Sequence, residues 1–247
     1  MVNGVKEMTD NERAVHILRG FGDPACTEQL VQTVLRGWAG AVDAQEDGVL
    51  VYSARAEVTM LAWRTRERLE QMLARIQQGE DIALHGEADA ETVRSVKARF
   101  GLPHEQRVSQ YAYYGALPEA EQELDLRTLT LSELDFVYEN YGHASREYLR
   151  ARIEDGVMLG AYVDGALAGF IGEHSEGAMG LLHVMPEHRR EHLGFRLERA
   201  AIRRTMLLGQ TPFCQVFDGN DASHALQARL GMTRAKSRAI WLTREPF

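Results

Sequence analysis

The sequence predicts an α+β protein in two parts, and three observations predict it. Helical apolar stripes alternate with short apolar runs along all 247 residues. Leu117-Pro118-Glu119-Ala120-Glu121-Gln122-Glu123 is polar, acidic and led by proline, and the element pattern restarts after it. From Met179 to about Leu208 a strand, a basic glycine-bearing turn and a helix follow one another. The linker separates a smaller α/β domain over 1–118 from a second domain over 119–247.

In the first domain Thr9 or Asp10 caps a helix over 9–21, with Ala14, Ile17, Leu18 and Phe21 on one face. Asp23-Pro24 restarts the chain, and a second helix is expected from Thr27 to Ala41 with Leu30, Val31, Val34, Leu35 and Trp38 as its stripe. At that spacing Trp38 reads as core in preference to a ligand wall. Asp47-Gly48 turns the chain into a strand at Val49–Tyr52, which pairs with a second at Ala56–Ala62. A helix with mixed surface charge follows over 64–78, then a strand at Asp81–His85, a helix over 88–100 stopped by Gly101, and a strand over 107–114.

The second domain opens with a strand at Leu124–Leu129. Thr130 or Ser132 caps a helix running to Tyr141, and Ser145 caps another that Gly156 ends. Strands at Val157–Val163 and Ala166–Glu173 flank the hairpin turn Asp164-Gly165, and a third, Ala178–Met185, follows the turn Ser175-Glu176-Gly177. A helix over 195–208, a strand over 211–217, a helix over 220–229 stopped by Gly231, and a strand over 237–243 complete the chain. The two halves share an element order without a residue-level repeat.

Composition sets outer limits. An apolar fraction of 45% and a charged fraction of 26% are those of a soluble globular protein. The formal charge of −8 argues against general affinity for nucleic acid or an anionic membrane, so neither is expected as a partner. Cys26 and Cys214 are too few for a disulfide framework or a zinc cluster. Met1 to Leu18 is charged and lacks the apolar core of a signal peptide, and no run reaches the roughly 18 apolar residues of a membrane span. The expectation is a cytoplasmic protein without a metal.

Chemistry concentrates around Leu181–Phe195. Pro186 has no N–H to donate and stops the strand. The helix after the turn leaves its first N–H groups facing Arg189 and Arg190, a setting that binds phosphate oxygens. The turn alone reads equally as a surface loop with two solvated arginines.

Two separated motifs carry a resemblance. Leu182-His183-Val184-Met185-Pro186 followed by Arg189-Arg190-Glu191-His192-Leu193-Gly194 resembles the acyl-CoA signature of the GNAT superfamily of N-acyltransferases, Arg/Gln-x-x-Gly-x-Gly/Ala after a strand. Asn220-Asp221-Ala222-Ser223-His224-Ala225-Leu226-Gln227-Ala228-Arg229-Leu230-Gly231-Met232 resembles its second motif. The likeness covers roughly 124–243. Within the superfamily, Tyr141-Gly142-His143-Ala144-Ser145 and Pro186-Glu187-His188-Arg189-Arg190 look similar to glycine N-acyltransferase-like proteins, which carry two such domains.

The resemblance implies a GNAT-type mixed sheet flanked by helices in the second domain and a degenerate GNAT-like half in the first. It implies transfer of an acetyl or other acyl group from acetyl-CoA or another acyl-CoA to a primary amine, by direct attack in a ternary complex. The acceptor it implies is a small metabolite such as an amino acid or polyamine. The alternatives are a protein or peptide amine, and a catalytically weak acyl-CoA sensor or scaffold. The first domain then shapes or covers the acceptor site, or mediates a homodimer.

The resemblance assigns the unpaired backbone groups of Leu182, His183, Val184 and Met185 to the pantetheine arm, with the Val184 N–H facing the thioester carbonyl. Arg189, Arg190, Glu191, His192, Leu193, Gly194 and Phe195 are assigned to the pyrophosphate, and Asn220 to the cofactor arm. His183 is the first candidate for a base, on the strand face opposite Leu182 and Val184, which read as core; the alternative is a structural histidine. Glu176 and His174 are the next candidates, and ordered water is another. Two positions depart from the pattern. His192 stands where the signature has glycine, and Gln227 stands where many members carry a tyrosine that reprotonates the departing thiolate. Cys214 reads as a buried small hydrophobe.

Overall fold

The computed structural model describes residues 8–246, so Lys6 and Glu7 of the charged N-terminal stretch lie outside the described residues. The chain forms two compact units. The first holds residues up to 111 together with 216–220 and everything from 234 onward; the second holds 112–215 and 221–233. The units therefore do not follow a single cut along the chain.

In the first unit, Thr9 caps α1 (Asp10–Arg19) in a reciprocal box, accepting from the Glu12 N–H at 3.2 Å while the Glu12 carboxylate accepts from the Thr9 N–H at 2.9 Å. α2 (Pro24–Leu35) begins on proline, whose missing N–H costs nothing in a first turn. The helix expected to reach Ala41 stops six residues sooner. Gly37 takes φ 70, its N–H bonds Val34 O at 3.1 Å and the Trp38 N–H bonds Thr33 O at 3.0 Å, which closes the helix end. A strand missing from the sequence reading follows, β1 (Ala39–Gln45). Trp38 leaves the apolar stripe and lies between the guanidinium groups of Arg36 and Arg55, 4.8 and 4.5 Å from its ring centre.

The rest of this unit comprises β2 (Gly48–Ser53), β3 (Val58–Trp63), α3 (Arg66–Leu73), β4 (Asp81–His85), α4 (Ala90–Phe100), β5 (His104–Ala112) and the chain's last strand, β11 (Thr233–Thr243). Its strands lie in the order β1-β2-β3-β4-β11-β5. β11 runs antiparallel to β4, from Ala239 opposite His85 to Leu242 opposite Ile82. Alternation gives each face its own core. Val49, Val51, Met60 and Ala62 pack against α1 and α2. Leu50, Leu61, Ile82 and Leu84 pack against α3 and α4. Each such leucine stabilises the unit by roughly 2 kcal/mol.

The second unit begins with residues 112–124. Read from sequence as a free acidic linker, this stretch is pinned instead: the Glu121 side chain is only 5% exposed and pairs with Arg196 at 2.9 Å and Arg199 at 2.6 Å. β6 (Asp125–Thr128) leads through a capped helical turn at Leu131–Glu133 into α5 (Leu134–Asn140) and α6 (Arg146–Glu154). Then come β7 (Leu159–Val163), β8 (Ala166–Glu173), β9 (Met179–Val184), α7 (Leu193–Leu207), β10 (Phe213–Phe217) and α8 (Asp221–Arg229). β6 to β9 form an antiparallel meander, and β10 joins β9 in parallel. Leu134, Leu149 and Ile153 from α5 and α6 bury Phe170 of β8 and Leu181 of β9 on one face.

With β1 included, the chain from α1 to β5 runs α-α-β-β-β-α-β-α-β, and the chain from β6 to β11 repeats that order after its extra opening strand, although its last strand, β11, belongs to the first unit. This is the mixed, helix-flanked sheet architecture the sequence predicted.

Candidate active site

The site is built on β9. Its register with β8 slips between Phe170 and Gly172: Gly169 faces Val184 and Phe170 faces His183, but Gly172 faces Gly180. Leu181 and Leu182 therefore oppose Ile171 alone, a bulge, and Leu181 takes the left-handed φ of 54 that such an insertion needs. The bulge decides which side chains are core. Leu181 is 2% exposed, whereas Leu182 and Val184 are only half-buried, a correction to the expectation that these two are core. The opposition of faces holds. A methyl group added at Gly194 would lie 3.8 Å from Leu182 and 3.5 Å from Val184, so these two face the start of α7. His183 stacks on Phe170 from the other face, with ring centres 5.5 Å apart and planes at 20°.

β9 is open along its other edge. Cys214 opposite Met179 is the single residue pair between β10 and β9 among the described residues, so the two strands part from that point on. Met185 donates its N–H to Ala168 O on β8 at 2.9 Å. Alternation in an antiparallel ladder then turns the Val184 N–H outward, into the gap. The Val184 carbonyl points the same way and accepts from Arg189 Nε at 3.1 Å. Met185, expected among the free groups, is not free; Val184 is the residue aimed into the opening.

The turn into α7 is exposed and carries two left-handed residues, Arg190 at φ 69 and His192 at φ 61. The conformation glycine would supply at 192 is thus adopted by histidine, at a cost of about 1–2 kcal/mol. No side chain caps α7, so the N–H groups of Leu193, Gly194 and Phe195 face the turn without a cap. His192 Nδ1 lies 3.1 Å from the guanidinium of Arg229, which also covers the Phe195 ring at 4.5 Å. Glu191 is exposed and pairs loosely with His188 at 3.7 Å. Asn220 lies in the 216–220 segment of the first unit, ahead of α8.

The candidate bases do not form one constellation. Burial and the nearby Arg189 charge hold the His183 imidazole below its usual pKa, so it is neutral at pH 7. Glu176 sits in the turn before β9, beyond Met179, and Met179 and His183 are themselves roughly 13 Å apart along the strand. His174, in the same turn, places Nδ1 3.0 Å from the Tyr148 hydroxyl, and the Ser175 N–H donates to that hydroxyl at 3.2 Å. Burial, with the Glu176 charge second, pushes the Tyr148 phenol up to about 12.

Gln227 is 3% exposed and donates from Nε2 to Glu198 Oε1 at 2.6 Å. Glu198, 4% exposed, escaped the sequence reading. The available signal was a carboxylate set in the buried stripe Leu197, Ala201, Ile202 and Thr205 of α7. Among the described residues no group of three or more His, Cys, Asp or Glu is placed to hold a metal ion, and no helix is long and apolar enough to cross a membrane.

The fold recurs in solved structures. A Drosophila protein is similar over 96% of this chain and 97% of its own, with a TM-score of 0.60 and 16% identity. A GCN5-related N-acetyltransferase of Kribbella flavida covers 94% of this chain and 96% of its own, with a TM-score of 0.52 and 14% identity. A GCN5-related N-acetyltransferase-like protein of Streptococcus suis covers 95% and 98%, with a TM-score of 0.52 and 12% identity. No curated protein matches the chain in sequence. Residues 156–242, from the end of α6 through β11, match the FR47-like protein family. The matched segment holds the bulged strand, the turn, α7 and α8, so this part of the chain is similar to the FR47-like family, and the fold of the whole chain is the one shared with the GCN5-related N-acetyltransferase structures.

Proposed function

We propose that the second unit transfers an acetyl or other acyl group from acyl-CoA to a primary amine of a small metabolite, such as an amino acid or polyamine, by direct attack in a ternary complex. One observation carries this reading: β9 and β10 part beyond Met179, and the opening runs to the uncapped start of α7. An extended chain bearing amide groups and ending in phosphates would lie along that opening with its phosphates at the helix start. The outward N–H of Val184 would donate to the thioester carbonyl, where negative charge grows as the amine attacks. The N–H groups of Leu193 to Phe195, with Arg189 and Arg190, would hold the phosphates. His183 is the base: neutral at pH 7, it takes the proton the amine must lose. A reducing, cytoplasmic setting fits the two buried free thiols, Cys26 and Cys214.

A second reading, an acyl-CoA sensor, draws on the strained histidine at 192 and on Gln227, which cannot give up a proton as a phenol does. Thiol release from acetyl-CoA separates the readings when glycine, spermidine and a lysine-bearing peptide are offered in turn. Release with glycine or spermidine supports the proposal. Release with the peptide alone moves the acceptor to a protein amine. Binding of acetyl-CoA without release for any of them supports the sensor, and no binding overturns acyl-CoA chemistry altogether.

A further inference from the structure

Glu198 and Gln227 face each other across α7 and α8, both more than nine-tenths buried, and each keeps one oxygen without a hydrogen-bond partner: Oε2 of Glu198 and Oε1 of Gln227. A native protein rarely leaves two such atoms unpaired in one place, and each costs stability. Their position is specific. Gly194 lies against Leu182 and Val184 of β9, and Glu198 is one helical turn further along the same face of α7, roughly 6 Å on. Because α7 runs back along β9, that turn carries Glu198 from the phosphate end of the opening toward its root. There Cys214 of β10 meets Met179, and the Glu198 carboxylate charge contributes to raising the Cys214 thiol. The side chain that bonds Glu198 is the Gln227 amide from α8, the titratable group its charge acts on is the Cys214 thiol from β10, and among the described residues no charged side chain offsets its burial.

We propose that Glu198, held by Gln227, is the acid that returns a proton to the coenzyme A sulfur as the acyl group leaves. The inference deepens the acyl-transfer reading and rests on it. The amine nitrogen bonds the carbonyl carbon, the C–S bond breaks with its electron pair on sulfur, and sulfur takes the carboxyl proton of Glu198. The carboxylate left behind regains a proton equal to the one the amine has shed, so nothing is consumed. Two facts make the carboxyl suited to this. Burial pushes its pKa up to about 7, so it is half-protonated near neutral pH. Its Oε2 has no competing partner. Gln227 cannot donate a proton to a thiolate in this way, but it fixes Oε1 and thereby aims the other oxygen.

Glu198→Gln is the test, because glutamine keeps a carbonyl to accept from Gln227 and carries no acid. Acetyl-CoA turnover with glycine or spermidine should fall about 100-fold. The KM for acetyl-CoA and its calorimetric affinity should stay within about twofold. Wild-type kcat should decline as pH rises through about 7, where the acid form is lost, and that limb should vanish in the variant. Glu198→Asp, which restores an acid, should recover part of the loss. Unchanged kcat with the limb intact overturns the proposal. So does a Glu198→Gln protein that folds but no longer binds acetyl-CoA, since the pair would then be architectural. If the wild type binds acetyl-CoA and releases no thiol with any amine, the acyl-transfer reading fails and takes this one with it.

Discussion

The two units share an element order and differ at one joint. In the first, β3 and β4 are zipped in parallel through five consecutive pairs, from Val58 opposite Asp81 to Ala62 opposite His85. Two residues, Arg64 and Thr65, then lead into α3, and the Thr65 hydroxyl caps that helix by accepting from the Arg68 N–H at 3.2 Å. In the second, β9 and β10 share a single pair, eight residues separate β9 from α7, and the helix start has no side-chain cap. Closed strands and a capped helix satisfy their own hydrogen-bonding groups, whereas parted strands and an uncapped helix leave groups for a ligand. The same element order is thus closed on itself in one unit and, on the proposed reading, leaves a ligand site in the other. Backbone strain is concentrated at the open joint: Leu181, Arg190 and His192 take left-handed φ in and just after β9, whereas among the described residues of the first unit Glu57 is the one non-glycine residue that does.

The largest expected effect comes from removing one N–H in each half. Val184→Pro deletes a donor that faces the opening, so the unit should fold while acetyl-CoA turnover falls at least 100-fold. Leu61→Pro, inside the zipped β3, removes a donor from a strand paired on both sides and should prevent the first unit from folding, read by circular dichroism. Next, His183→Ala should lower turnover about 100-fold with acetyl-CoA affinity kept. Because the His183 pKa lies below its usual 6.5, wild-type activity should already climb at pH values under 6.5 and lose that limb in the variant. Unchanged turnover removes His183 from the chemistry.

The third effect concerns stability. Folding raises the Glu198 pKa from about 4.5 to about 7, so the unfolded chain ionises first and stability falls as pH rises across that window. Glu198→Gln should flatten this slope and stabilise the protein above pH 7 by at most about 3 kcal/mol, measured by urea unfolding. The smallest effects fall on the two helix starts. Thr65→Ala should cost about 1 kcal/mol and leave acetyl-CoA binding untouched. His192→Gly should relieve about 1 kcal/mol of backbone strain, and tighten acetyl-CoA binding a few-fold if the turn is where the phosphates lie.

What was legible in the sequence was local. Thr9, Thr130 and Ser145 announced helix starts, Gly101 and Gly156 helix ends, and Asp164-Gly165 a hairpin, because each acts on backbone groups a few residues away. β1 was missed for a local reason as well: Trp38 continued the helical spacing, which hid the left-handed stop at Gly37. Contacts distant in sequence were not legible. Nothing in Ser237–Thr243 says that this strand pairs with β4, about 155 residues earlier. The bulge at Leu181 exchanged which leucine is buried, and no period-two pattern reveals an inserted residue. Around the site, the turn and the strand were visible as a pair of motifs. Glu198 was not, since a carboxylate on an amphipathic helix ordinarily faces water.

The open joint of the second unit, and not the zipped joint of the first, is expected to receive acyl-CoA. Amide hydrogen exchange with and without acetyl-CoA tests it directly. New protection is expected at the amides of 182–184 and 190–195 and none at 58–68. Protection at 58–68, or tight binding that leaves 182–195 unprotected, would contradict it.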